Sequence, residues 1–243
     1  MGEYVTLGPM EMYYETAGDE GDPILFLHGG GGGAFVWEPH MAHFAPSHRV
    51  FASEQRGRAH TADVEGPISY EMMAGDTLAL VDKVIGEPVH VVGASDGGDI
   101  GLLMAMERPE MVRSLVSIGG NYHHDAIPPG FLEMSPDDEA LEMPRQMYVE
   151  MSPDGPDHFA VVFDKLKQMW REEPELTTDD LASIETPVLV MAGDADLIPL
   201  SHTVSMFEGL ANAQLAIVPG ASHAVFMEKP DLVNRLIEDF IGS

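Results

Sequence analysis

The sequence predicts an α/β protein with a mostly parallel central sheet, helices on both faces and a helical cap inserted into the core. Three observations predict it. Short apolar runs recur at Ile24–Leu27, Val89–Val92, Leu115–Ile118 and Val188–Met191, with Arg49–Ala52 as a fifth, and such runs suit strands covered on both faces. Segments with helical spacing lie between them. A stretch from 121 to 183, rich in Met, Pro and acidic residues, then breaks the alternation.

Taken in order, Glu3–Leu7 and Met10–Thr16 read as an antiparallel hairpin leading into the sheet. Ile24–Leu27 is the first doubly covered strand, and His28 with the glycine run Gly29–Gly33 follows it. After Arg49–Ala52, the segment Ser69–Ile85 reads as a helix with Met73, Leu80, Val81 and Val84 on one face. Val89–Val92 leads into Gly93-Ala94-Ser95-Asp96-Gly97-Gly98, and the helix formers Ile100–Met106 continue until Pro109 stops them. The 121–183 stretch carries Phe131, Met134, Met143, Met147, Phe159, Phe163 and Trp170, an apolar load that needs something to cover, so it reads as a lid. Leu215–Val218 and the helix Pro230–Ile241, with Leu232, Val233, Leu236, Ile237 and Phe240 at spacings of three and four, complete the chain. Residues 1–120 and 184–243 are therefore expected to form one core domain, with 121–183 as the cap.

A length of 243 residues with 44% hydrophobic content supports an ordinary buried core. No cysteine is present, which removes disulfides, thiolate metal sites and a cysteine nucleophile. The formal charge of −29 would repel a phosphate backbone and anionic lipid, so neither nucleic acid nor membrane is an expected partner. No apolar stretch approaches the roughly 20 residues of a membrane span and no basic leader precedes an apolar one, so the expectation is a cytoplasmic protein.

The chemistry concentrates at Ser95. A serine between glycines, after a strand and before a helix, is what a sharp strand-to-helix turn requires, and the turn lifts the hydroxyl clear of the sheet. Amides opening the helix point at the same spot and favour negative charge there. Five consecutive glycines are costly to order unless backbone must approach something closely, and a ligand oxygen is the natural candidate. The amide of Gly30 with that of Asp96 would then stabilise an oxyanion, although the run contains five possible donors. A phosphate-binding loop is disfavoured, because no Gly-Lys-Ser/Thr ending follows. Activating a serine needs a histidine and a carboxylate, and both stand downstream, in Gly193-Asp194-Ala195-Asp196 and Gly220-Ala221-Ser222-His223.

Together these motifs make the chain resemble an α/β-hydrolase-fold serine hydrolase over essentially its full length. Within that superfamily, Ser95-Asp96-Gly97-Gly98 and Gly119-Gly120-Asn121-Tyr122 are similar to small esterases and to the valacyclovir-hydrolase and meta-cleavage-product-hydrolase branches. The resemblance implies the catalytic order Ser95, Asp196, His223, selecting Asp196 over Asp194, which becomes a turn former. It also implies a pocket, for which Gly29, Trp37, Ala94, His123, Phe131, Met147 and Trp170 are the candidates. Two departures stand out: Ala94 is small where many relatives have a large aromatic, and the usual Arg-Gly-His-Gly-x-Ser loop is Arg56-Gly57-Arg58-Ala59-His60-Thr61 here. Asp96 has two readings, a helix-start acid or a partner for a substrate ammonium.

The expected function is hydrolysis of small carboxylic esters or thioesters without a cofactor or metal. Carbon–carbon hydrolysis of the meta-cleavage-product type, or a low-turnover small-molecule receptor on the same fold, is the alternative. The acidity has a plain explanation in a well-solvated surface and a sharper one in adaptation to high salt, which the presence of only four lysines also suggests. Salt adaptation requires the thermal midpoint to rise between low and molar KCl; an unchanged or falling midpoint leaves the plain explanation.

Overall fold

Strands that are apolar at every position must be covered on both sides, and the architecture meets that demand. The computed structural model describes residues 2–242. Its strands are β1 (Gly2–Leu7), β2 (Met10–Ala17), β3 (Pro23–Leu27), β4 (Arg49–Ser53), β5 (Val89–Ala94), β6 (Val112–Ile118), β7 (Val188–Ala195) and β8 (Ala213–Ser222). They form one eight-stranded sheet in the order β1-β2-β4-β3-β5-β6-β7-β8. β1 with β2 and β2 with β4 pair antiparallel, and every other neighbour pair is parallel.

Ten α-helices accompany it among the described residues: α1 (Glu38–Phe44), α2 (Tyr70–Leu80), α3 (Asp96–Glu107), α4 (Pro129–Leu132), α5 (Glu142–Met151), α6 (Phe159–Glu172), α7 (Thr178–Ala182), α8 (Leu200–Gly209), α9 (Val225–Glu228) and α10 (Pro230–Ile241). Side chains along β3 alternate between two cores. Leu25 and Leu27 join Leu102 of α3 and Met206 of α8 on one face, while Ile24 and Phe26 join Phe44 of α1 and Ile237 of α10 on the other. The helix expected over Ser69–Ile85 begins where the Ser69 hydroxyl accepts the Met72 amide at 3.1 Å. Its last turn widens over Val81–Ile85 and stops at Gly86, φ 76°.

Between β6 and β7 the chain runs through α4 to α7 and adds no strand to the sheet. Residues Phe159, Val162, Phe163, Leu166 and Trp170 of α6 recur at helical spacing and are all buried, which makes that helix the floor of the inserted segment.

The tightest packing lies where β5 passes into α3. A Cβ on Gly93 would stand 2.1 Å from the carbonyl oxygen of Gly97, and one on Gly97 would stand 2.2 Å from that of Leu27. Gly97→Ala is therefore expected to destabilise the fold by about 2–3 kcal/mol in urea denaturation. Gly75, inside α2 with open space around it, is the contrast. Gly75→Ala should stabilise by about 0.5–1 kcal/mol, and equal effects at the two sites would contradict the packing described.

Candidate active site

Ser95 follows β5 and caps α3 with φ 52° and ψ −122°. A non-glycine residue in that region costs about 1–3 kcal/mol and needs support from its surroundings. The support is a clamp of backbone bonds: the Ser95 amide donates to the Ile118 carbonyl at 2.8 Å, and the Ser95 carbonyl accepts the Gly98 amide at 2.7 Å. The side chain is thereby held at the amino end of α3, where unpaired amides favour anionic charge.

His223 follows β8 and meets the acid that follows β7. Its Nδ1 lies 2.7 Å from Asp196 Oδ1, and the same oxygen accepts the Ile198 amide at 2.9 Å. The Asp196 side chain is wholly buried. Asp194 is not in the turn but still within β7, and its Oδ1 accepts the amides of Gly220 and Ala221, tying the end of β7 to the end of β8. Gly119, φ 62°, passes so near that a Cβ there would stand 3.0 Å from His223 Nδ1.

The glycine loop after β3 is anchored from below. His28 lies fully buried, its Nε2 accepts the Gln55 amide at 3.1 Å, and its Nδ1 donates to the Gly29 carbonyl at 2.7 Å. Burial lowers its pKa to about 4, so the ring is neutral. Arg58, also buried, donates from Nε to the Gly30 carbonyl at 2.6 Å and from Nη1 to the Arg56 carbonyl at 3.0 Å. The neighbouring Ala59 takes φ 43° where the resembling loop has glycine.

Asp96 does not stand free. Its Oδ1 accepts from the Tyr70 hydroxyl at 2.9 Å and from Trp170 Nε1 at 3.0 Å, while Oδ2 is buried without a partner. Burial raises its pKa, and the Arg58 guanidinium works against that rise. Asp99, one turn on, is pushed well above the usual carboxylate range by burial and by the charge of Asp96. Of the two readings of Asp96, its place at the start of α3 is the one the backbone shows; the protein engages only Oδ1, and Oδ2 is left unpartnered.

Ser95, Asp96, His223, Gly29 and Gly30 all line one cavity of about 570 Å³. Of the remaining pocket candidates, Ala94, Phe131, Met147 and Trp170 line it too. Two do not. Trp37 is carried away by the turn Ala34–Trp37 into the opposite core, where it stacks on Phe226 at 4.6 Å and has no exposed surface. His123 is fixed at the root of the inserted segment, pairing with Glu175 through its backbone and accepting the Asp125 amide at its Nδ1. Arg58, Tyr70 and the aliphatic Leu141, Val162 and Leu166 belong to the wall and escaped the sequence reading. For Arg58 the signal was the departure itself, an arginine where the resembling loop has histidine.

Outside the cavity, His123, His124 and Asp125 offer ligand atoms within 4.8 Å of one another, the one such group among the described residues that could hold a metal ion. No helix among the described residues is long and apolar enough to cross a membrane.

Comparison with known proteins agrees with this architecture. A protein of Azorhizobium caulinodans provisionally named carbamate hydrolase RutD is 29% identical, covering 98% of both chains. A non-heme haloperoxidase of Rhodococcus erythropolis is 25% identical over 96% of both. Among solved structures, a meta-cleavage product hydrolase from Pseudomonas fluorescens superposes with a TM-score of 0.86 at 22% identity, covering 99% of this chain and 97% of that one. A thermophilic esterase from Thermogutta terrifontis gives 0.79 at 21% identity and 98% of both chains; these two likenesses concern the fold. The model of the alpha/beta hydrolase family matches residues 24–236, and with the sheet order and the strand-end site already described, the chain belongs to that family.

Proposed function

We propose that the chain is a serine hydrolase cleaving small carboxylic esters or thioesters through an acyl-enzyme on Ser95. The observation that carries the reading is the meeting of Ser95, His223 and the glycine loop in the wall of one largely apolar cavity. Ser95 Oγ attacks the acyl carbon while His223 Nε2 takes its proton, and Asp196 holds Nδ1–H so that Nε2 is the free acceptor. The imidazolium then protonates the leaving alkoxide or thiolate. Water repeats the sequence on the acyl-enzyme and frees the acid.

Gly30 and Asp96 supply the amides for the oxyanion in this mechanism, and His28 aims the first of them. With Nε2 accepting from Gln55, its proton sits on Nδ1 and goes to the Gly29 carbonyl, which also accepts the Gly32 amide at 3.0 Å. In a planar trans peptide the Gly30 N–H points away from that carbonyl. A fixed carbonyl therefore means a fixed donor.

Cavity size and lining favour an apolar acyl group. Walls built from side chains such as Leu141, Phe163 and Leu166 reward each buried methylene by about 0.8 kcal/mol. The name of the Azorhizobium relative points to carbamate, a small polar anion that would leave most of about 570 Å³ unfilled. Carbon–carbon hydrolysis of a dicarboxylate would use the same parts but needs positive charge in the pocket. Arg58 is the one Lys or Arg among the described lining residues, and it is engaged on backbone carbonyls beside Asp96.

Release from p-nitrophenyl acetate, butyrate and octanoate tests the reading. Ser95→Ala should lower it by at least about 10³-fold, and kcat/KM should rise about fourfold per methylene from acetate to butyrate. Folded wild type that shows no Ser95-dependent release would move the reading to carbon–carbon hydrolysis or a receptor.

A second outcome concerns His28. Its folded pKa of about 4 lies below the ordinary 6.5, so the unfolded chain binds the extra proton between these values. The stability it contributes is present above pH 6.5 and is lost as pH falls towards 4. The stability gap between wild type and His28→Asn should thus widen by about 3 kcal/mol from pH 4 to pH 7 in urea titrations; a constant gap would show that the ring is not buried neutral.

A further inference from the structure

We propose that Trp170 is a positioning residue that completes the oxyanion site from the lid, an inference that rests on the ester-hydrolase reading of the same site. One indole touches both arms of that site. Its Nε1 donates to Asp96 Oδ1 at 3.0 Å, gripping the residue whose amide is one oxyanion donor. Its ring lies directly on Gly30, the other: a Cβ on Gly30 would stand 2.4 Å from ring carbon Cζ2, so only a glycine fits beneath it.

The grip matters because little else holds the Asp96 side chain. Oδ2 is buried without a partner, and Oδ1 has two donors, Trp170 and the Tyr70 hydroxyl. Tyr70 is itself tied to the inserted segment, since its amide donates to a carboxylate oxygen of Glu173 at 2.8 Å. Both donors to Asp96 therefore depend on where the end of α6 sits. Further back along that helix, Lys165 and His158 just before its start bind Asp63 at 2.6 and 2.9 Å and seat it on the core. Phe131 and Phe163 pack against the indole, with ring centroids 5.1 and 6.1 Å away, and steer it inward.

With α6 seated, the indole fills the space over Gly30 and orients Asp96 at the start of α3. With α6 withdrawn, the glycine arm loses its cover and Asp96 loses a donor. Oxyanion donors act only when preorganised, and small misplacements are costly. The lid in this reading covers the substrate and also finishes the machinery.

Trp170→Phe keeps a ring over Gly30 and removes the N–H, while Trp170→His returns a ring N–H. Two measurements are made on folded protein: the rate at which a fluorophosphonate labels Ser95, and kcat and KM for p-nitrophenyl butyrate. Trp170→Phe should lower the labelling rate and kcat about tenfold with KM within twofold, and Trp170→His should recover part of both. Unchanged labelling and kcat in Trp170→Phe, or a loss confined to KM, overturns the proposal. If wild type is labelled but does not turn over the ester, the ester reading fails and the labelling ratio alone judges Trp170. If wild-type Ser95 is not labelled at all, both fall. Should Trp170→Phe not fold, wild type carrying 5-fluorotryptophan decides: the chain has two tryptophans, and Trp37 is packed in the opposite core. The Trp170 fluorine resonance must then shift on phosphonylation of Ser95 while that of Trp37 stays, and an unmoved Trp170 resonance overturns the proposal.

Discussion

A backbone crossing with no room for a side chain holds the centre of this molecule together. Gly93 lies against Gly97, and Gly97 against the Leu27 carbonyl, so β3, β5 and α3 meet at van der Waals distance. Because β3 and β5 are sheet neighbours, the glycine loop leaving one strand runs beside the serine leaving the other; a Cβ on Gly29 would stand 3.0 Å from Ser95 Cβ. The next neighbours continue the row. β6 leads to Gly119, β7 to Asp196 and β8 to His223, so parallel strands about 4.8 Å apart present the remaining parts in order along one edge. Residues distant in the chain become adjacent through strand order, and the strained angle at Ser95 is stabilised by that same framework.

Beneath this edge the fold buries charge that would otherwise be prohibitive. Arg58, Asp96 and Asp99 are all almost inaccessible to water, and burial alone would drive each towards its neutral form. Asp99, next to Asp96, is pushed furthest and favours the protonated acid. Arg58 and Asp96 moderate each other, and the guanidinium spends its donors on the carbonyls of Gly30 and Arg56. Hydrogen bonds satisfy only part of what the pairing leaves over, since Asp96 Oδ2 and Asp99 Oδ2 are buried without a partner. Of this cluster, Arg58 and Asp96 reach the cavity wall, one group of each sign side by side.

Much of this was legible in the sequence because burial on both faces leaves a plain mark. Ile24–Leu27 and Val188–Met191 are apolar at every position, Val89–Val92 at every position but the half-buried His90, and all three occupy interior strands of the sheet. β8 was legible only over Leu215–Val218, because it is an edge strand whose other residues, apart from Ala221, are half-buried or exposed and obey no apolar pattern. Ser95, Asp196 and His223 were marked by glycine-bearing turns at strand ends. Trp37 and His123 were misplaced because proximity along the chain to a functional loop does not fix where a side chain points: a helical turn carries Trp37 into the opposite core, and an extended bridge to Glu175 holds His123. Arg58 and Tyr70 were invisible for another. A lone polar residue turned inward carries no periodicity, and only the three-dimensional neighbourhood shows what it satisfies.

The few cations are unevenly placed. Twelve Lys and Arg face 41 Asp and Glu, yet four of the twelve, Arg145, Lys165, Lys167 and Arg171, lie on the inserted segment. Three of them brace it internally: Lys167 donates to the Met134 carbonyl, Arg171 to that of Leu132 and Arg145 to that of Pro136. Lys165 reaches across to Asp63 and to the Val64 carbonyl, and its pair is largely sheltered from solvent, where salt screens weakly. An acidic inserted segment packed on an acidic core is otherwise opposed by like-charge repulsion. Placing scarce cations on the inserted segment, Lys165 among them where α6 meets Asp63, offsets that repulsion where α6 lies close enough for Trp170 to reach Asp96.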